Sequence, residues 1–306
     1  MDLPDQNEDQ NISPPEPPIA MIALLLILGL LLGAMLGSGI VFLISQAKGL
    51  DFAALLGSLS ENSPKAERNL VREVNLISHF MTFTVPSLFA AWFFYRRRSF
   101  AFLKMDHWPS SRDISFGILL VLVSFPLAQL SYWLNQQLPL PNWATSMESE
   151  ATDLIKGLLV METPGELLLN LLVVAVIPAL GEELLFRGLI QQLLQRAFAR
   201  PHLAIWGTAI IFSAFHLQFE GFIPRMLLGA ILGYLFYWTK NLWIPILAHL
   251  FFNGFQVAAQ YFYGNELENL NLESQDEANW VSGLASLILC ILLGRYILKS
   301  NQAETA

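Results

Sequence analysis

The chain has 306 residues, of which 54% are hydrophobic and only 14% charged, with a mean hydropathy of +0.49. That balance excludes a soluble domain of ordinary composition and describes an integral membrane protein. The formal net charge of −8 comes mainly from acids near the two ends, at Asp2, Asp5, Glu8, Asp9 and Glu16 and at Glu266, Glu268, Glu273, Asp276 and Glu277. They read as solvated segments and argue against nucleic acid as a partner.

In chain order, residues 1–18 are acidic and carry Pro14, Pro15, Pro17 and Pro18, the composition of a disordered tail. A hydrocarbon layer about 30 Å thick needs roughly 20 residues of helix. Apolar runs of that kind place about eight spans, near 19–44, 76–95, 114–134, 167–185, 203–217, 222–239, 242–262 and 281–298. The fold class expected is therefore all-α, a polytopic membrane helix bundle. The first run follows a segment without Lys or Arg and exceeds the length of a signal-peptide core, so it reads as a retained anchor.

Between the spans, residues 61–73 have mixed charge and suit a short surface helix. In 146–159, Glu148, Glu150, Asp153 and Lys156 alternate with Ile155, Leu158 and Leu159, as in an amphipathic helix lying at the membrane interface. The division expected is a tail (1–18), an accessory membrane region (19–145) whose first three spans carry almost no buried polar chemistry, a functional core (146–262), and a loop with a last span and short tail (263–306). Cys290, the one cysteine, cannot form an internal disulfide and reads as packing.

The Lys and Arg residues set an expected orientation. With the N-terminus cytoplasmic, the larger share of the 17 cations faces the cytoplasm, including Arg96, Arg97, Arg98, Lys104, Arg112, Arg187, Arg196, Arg200, Lys240, Arg295 and Lys299. Lys48, Lys65, Arg68, Arg72, Lys156 and Arg225 face outward. Both termini are then cytoplasmic.

Ionisable residues at membrane depth are costly and mark function. Three clusters stand out: Glu182 and Glu183 with Arg187, His216 four residues after Phe212, and His249 four residues before Asn253. Glu183 and Arg187 share a helix face at a spacing of four, so the guanidinium can clamp that carboxylate. Glu182 lies about 100° around the helix and is free to face a cavity. A base for water, a second polar group to orient it and donors for an oxyanion are what hydrolysis requires. Taken singly, each cluster has a plainer reading: an interhelical hydrogen bond for His216, packing for His249 with Asn253, a buried ion pair for the rest. Their succession in consecutive, tightly connected spans favours one site. His79, His107 and His202 read as ordinary residues, His79 as an interhelical bond. Arg225 reads as snorkelling to the interface, with capture of a substrate carboxylate as the alternative.

The ordered motifs Glu182-Glu183-x-x-x-Arg187, Phe212-x-x-x-His216 and His249-x-x-x-Asn253, with Gly188 after the arginine, resemble the CAAX-protease and bacteriocin-processing (Abi) family of intramembrane proteases, which includes the type II CAAX prenyl endopeptidases. The resemblance covers about 167–260. It implies an intramembrane endopeptidase in which Glu182 activates water with His216, Glu183 and Arg187 support that geometry, and His249 with Asn253 stabilises the oxyanion. The implied partners are the lipid bilayer and a membrane peptide or protein substrate, prenylated or leader-bearing. Two readings of the cofactor stand: zinc held by Glu182, His216 and His249 with one open position, or no metal. The His-Glu-x-x-His pattern is absent, and Arg187 beside the carboxylates disfavours a dication, so the metal-free reading is preferred. A non-catalytic scaffold or chaperone of the same fold, or a proton-coupled transporter, are the alternatives to hydrolysis.

Overall fold

The structure, a computed structural model, describes residues 17–269 and 279–305. The acidic segment read as a disordered tail, save its last two residues, and Glu273, Asp276 and Glu277 lie outside the described residues. Every element found is helical: α1 (Ile19–Lys48), α2 (Phe52–Ser58), α3 (Lys65–Phe102), α4 (Ser111–Gln136), α5 (Asn142–Leu159), α6 (Pro164–Phe198), α7 (Pro201–Ala214), α8 (Phe222–Thr239), α9 (Trp243–Asn269) and α10 (Trp280–Thr305). Among the described residues, six helices are long and apolar enough to cross a membrane: α1, α3, α4, α6, α8 and α10. The other two expected spans are also helices. Of these, α7 has only 14 residues, and α9 is interrupted by His249, Asn253, Gln256 and Gln260.

Helix α1 is apolar on every side and leaves Leu24, Ile27, Leu28 and Leu31 exposed, as expected where lipid is the solvent. Its opposite face meets α3 closely. A β-carbon on Gly33 would collide with the Met81 carbonyl, so the two backbones approach only because this position is glycine. Ile22 and Leu26 of α1 and Ala90, Ala91 and Leu103 around α3 share one apolar core with Leu184, Leu185, Phe186, Leu189 and Phe212. A second core joins α4, α8, α9 and α10 through Leu120, Val121, Leu232, Leu235, Ile244 and Ile297.

Two helices widen into π turns just before a proline: Phe80–Thr84 precedes Pro86, and Leu171–Val176 precedes Pro178. Proline lacks an N–H and its ring crowds the carbonyl four residues back, and a wider turn accommodates both defects. A third π turn, Phe186–Gln191, carries Arg187.

The structure corrects three expectations. Residues 61–73 do not form a separate surface helix; from Lys65 they are the start of α3, and Arg68 and Arg72 are buried. Both guanidiniums bond Glu166, at 3.3 and 3.1 Å, and Arg72 also donates to the carbonyls of Leu158 and Val160. Low-dielectric surroundings demand such partners. Second, the first three expected spans do contain buried polar groups, at Thr84, Ser87, Ser124 and Ser131. Third, α6 continues past the expected end of its span at 185 to Phe198, so Arg187, counted among the cytoplasmic cations, lies inside the helix with no exposure.

Candidate active site

The first motif stands on α6, past the widened turn before Pro178. Glu182 is 7% exposed, and Glu183 and Arg187 are fully buried. At the four-residue spacing, Arg187 Nη1 donates to Glu183 Oε1 over 2.6 Å, a short charge-assisted bond. The same guanidinium donates from Nη2 to the Gly229 carbonyl at 2.7 Å and lies 4.9 Å over the Phe212 ring. One turn on, Gln191 Nε2 donates to the Gly233 carbonyl at 2.9 Å. The arginine therefore ties α6 to α8 as well as neutralising Glu183.

Phe212 lies among these groups: its ring meets Phe186, His216 and His249 edge-on at centroid distances of 5.1, 5.1 and 6.0 Å. His216 follows at the end of α7. Its Nδ1 lies 2.9 Å from the Phe212 carbonyl, so Nδ1 carries the proton and Nε2 keeps a lone pair in the neutral ring. The chain then turns sharply at Leu217, φ +53°.

On α9, His249 Nδ1 bonds Glu183 Oε1 at 2.8 Å, and its Nε2 is 4.0 Å from Glu182 Oε2, a separation that one water oxygen can bridge. Asn253 Nδ2 donates to the Val174 carbonyl at 3.0 Å. That carbonyl lies four residues before Pro178, which has no N–H to give it. Asn253 thus satisfies a defect in α6 with one amide hydrogen and keeps the second for other use.

Three helices, α6, α7 and α9, thereby bring Glu182, Glu183, Arg187, His216 and His249 together, and Asn253 docks beside them. Arg225, at the start of α8, turns back instead of snorkelling outward: its Nη1 donates to the Gln218 carbonyl at 3.1 Å. Among the described residues, no group of three or more His, Cys, Asp and Glu side chains has the disposition of a metal site. One nitrogen of each of the two histidines is engaged, His216 Nδ1 by the Phe212 carbonyl and His249 Nδ1 by Glu183.

One residue of the site was read from the sequence only as an interhelical bond. His79 of α3 bonds Glu182 itself, Nε2 to Oε1 at 3.1 Å. A histidine in an apolar segment was the available signal; its partner was not.

Residues 164–255 match the family model for type II CAAX prenyl endopeptidase Rce1-like proteins. That segment is similar to the Rce1-like family. The match contains all three motifs, and it coincides with the stretch whose motifs carry the resemblance. The Rce1-like family is one of proteases, and the likeness is in keeping with an integral membrane protein of many apolar helices. The uncharacterized protein YpbD of Bacillus subtilis (strain 168) is 29% identical over 103 residues, 32% of this chain and 47% of YpbD. The chain thus spans about half the length of this curated relative. No solved structure matches.

Proposed function

We propose that this protein is an intramembrane endopeptidase that hydrolyses a peptide bond of a membrane-associated substrate, prenylated or leader-bearing. The observation that carries the reading is a buried carboxylate, Glu182, facing two histidines from other helices while a second carboxylate is neutralised beside it. In this mechanism water lies against Glu182 Oε2 and gives a hydrogen bond to the lone pair on His216 Nε2. Glu182 takes the proton as the oxygen attacks the carbonyl carbon. The oxyanion is met by His249, whose Nδ1 stays bonded to Glu183, and by the second amide hydrogen of Asn253. Glu182 then passes its proton to the departing amine as the C–N bond breaks. Arg187 and Glu183 never touch substrate; they fix the ring of His249 and the register of α6.

The reading assigns no step to a metal. Hydrolysis of a peptide library by the detergent-purified chain, wild type beside Glu182→Gln, tests it. Turnover is expected from the wild type and not from Glu182→Gln, because an amide cannot accept the proton from water; equal rates would end the assignment of Glu182. Exhaustive chelation is expected to leave turnover intact, and recovery of a lost activity on adding zinc would reverse the metal-free view.

A further inference from the structure

The Rce1-like segment does not contain every group that touches Glu182. His79 lies on α3, far outside residues 164–255, yet its Nε2 is 3.1 Å from Glu182 Oε1 and its side chain is only 18% exposed. The approach is built into both helices. A β-carbon on Gly181 would lie 2.7 Å from Thr84 Oγ1, 3.1 Å from Phe83 Cβ and 3.4 Å from His79 Cε1. Only the missing side chain just before Glu182 lets α3 come this close. The imidazole stacks on Phe83, centroids 4.5 Å apart and planes 21° from parallel, which fixes its plane. Its Nδ1 is buried and has no hydrogen-bond partner among the described residues. A buried N–H without an acceptor is costly, so the neutral ring with its proton on Nε2 fits the site. That tautomer donates to Glu182.

A carboxylate free to rotate presents either oxygen to water. With Oε1 occupied by His79, Oε2 is the oxygen left toward His249, at 4.0 Å. We propose that His79 is a positioning residue for the catalytic base: it holds Glu182 by Oε1 and so selects Oε2 as the oxygen that receives the proton. The proposal rests on the hydrolytic reading above and deepens it, because it makes the α3 helix part of the reaction geometry.

Two measurements separate this from a helix-joining bond. Peptide hydrolysis is compared in wild type, His79→Leu and His79→Gln. The leucine variant keeps an apolar contact with Phe83 but loses the donor; kcat is expected to fall by about 10² while KM stays within about twofold. Glutamine places an amide N–H near the position of Nε2–H and is expected to recover most of kcat. If leucine turns over at the wild-type rate, or glutamine does no better than leucine, the proposal is wrong. In ¹⁵N-histidine-labelled protein in micelles, the His79 N–H proton, assigned by its loss in His79→Gln, is expected to shift in Glu182→Gln. A signal that ignores Glu182 overturns the proposal whether or not peptide is cleaved. A wild type that cleaves no peptide while that signal does respond overturns the hydrolytic reading and leaves the hydrogen bond standing.

Discussion

Glu182 and Glu183 are chemically identical neighbours, and what separates them is the partner each receives. Glu183 holds Arg187 and His249 on the same oxygen, with no exposure for either member of the ion pair. Glu183→Gln therefore leaves a buried guanidinium without its counter-charge, a loss of about 3–5 kcal/mol. Thermal unfolding in detergent should show a clearly lower midpoint for Glu183→Gln and a near-normal one for Glu182→Gln. The four-residue spacing made this pair legible in the sequence. Asn253 was legible as part of the site but not in its second duty, because the orphaned Val174 carbonyl matters only once α9 is known to lie beside α6. Asn253→Ala removes a donor to that carbonyl as well as the one proposed for the oxyanion. It should slow turnover by about 10²–10³ and also destabilise the chain by about 1 kcal/mol. A loss of rate with wholly unchanged stability would mean that the bond to Val174 carries no weight.

At the scale of elements, the sequence located α5 but not its side-chain directions. The amphipathic reading sent all its charges to solvent, whereas Glu148 is buried and its Oε2 accepts from the backbone N–H groups of Phe219 and Glu220 at 2.7 and 3.3 Å. Asn135 of α4 grips the same loop from both sides, donating to the Phe219 carbonyl and accepting from Ile223 N–H, each at 2.8 Å. The loop carries the left-handed Leu217 directly after His216, a conformation that costs roughly 1–3 kcal/mol and persists only where neighbours enforce it. Glu148→Leu should release the loop, speed amide exchange at residues 217–221, and lower kcat by about tenfold to a hundredfold through displacement of His216. Unchanged exchange with unchanged kcat would show that the loop holds its shape alone. No periodicity could reveal this, since one acid in a run of Glu148, Glu150 and Asp153 looks like any other until α7 and α8 are in place.

For the whole molecule, apolar runs were enough to find the helical membrane architecture, and the ordered motifs were enough to find the Rce1-like segment. How the first three long helices meet that segment was not readable: His79 and the Arg68–Arg72–Glu166 cluster join residues some hundred positions apart, and spacing within one helix says nothing of such distances. Orientation remains our proposal, with both termini cytoplasmic. Removing buried Arg187 from the cytoplasmic count, and buried Arg68 and Arg72 from the opposite one, leaves the bias carried by Arg96, Arg97 and Arg98. Single cysteines at Arg97 and Asn301, in a chain with Cys290 replaced, should both be shielded from an impermeant thiol reagent added to the outer face; labelling of only one would mean that the helices between them cross an odd number of times.

The paired donors Arg187 and Gln191 carry one more implication. They stand one turn apart on α6 and reach carbonyls one turn apart on α8, at Gly229 and Gly233. Two rungs of equal spacing act as a ruler: if α8 slipped lengthwise by a turn, one donor would still face a glycine and the other would meet the side chain of Arg225 or Tyr237, where a β-carbon at Gly233 would already lie 2.8 Å from Gln191 Oε1. Smooth apolar surfaces have no such graduation, and lipid offers no penalty against sliding. Since α8 is joined to His216 by a short loop, the depth of that histidine relative to Glu182 is gauged by two hydrogen bonds that lie outside the proposed mechanism.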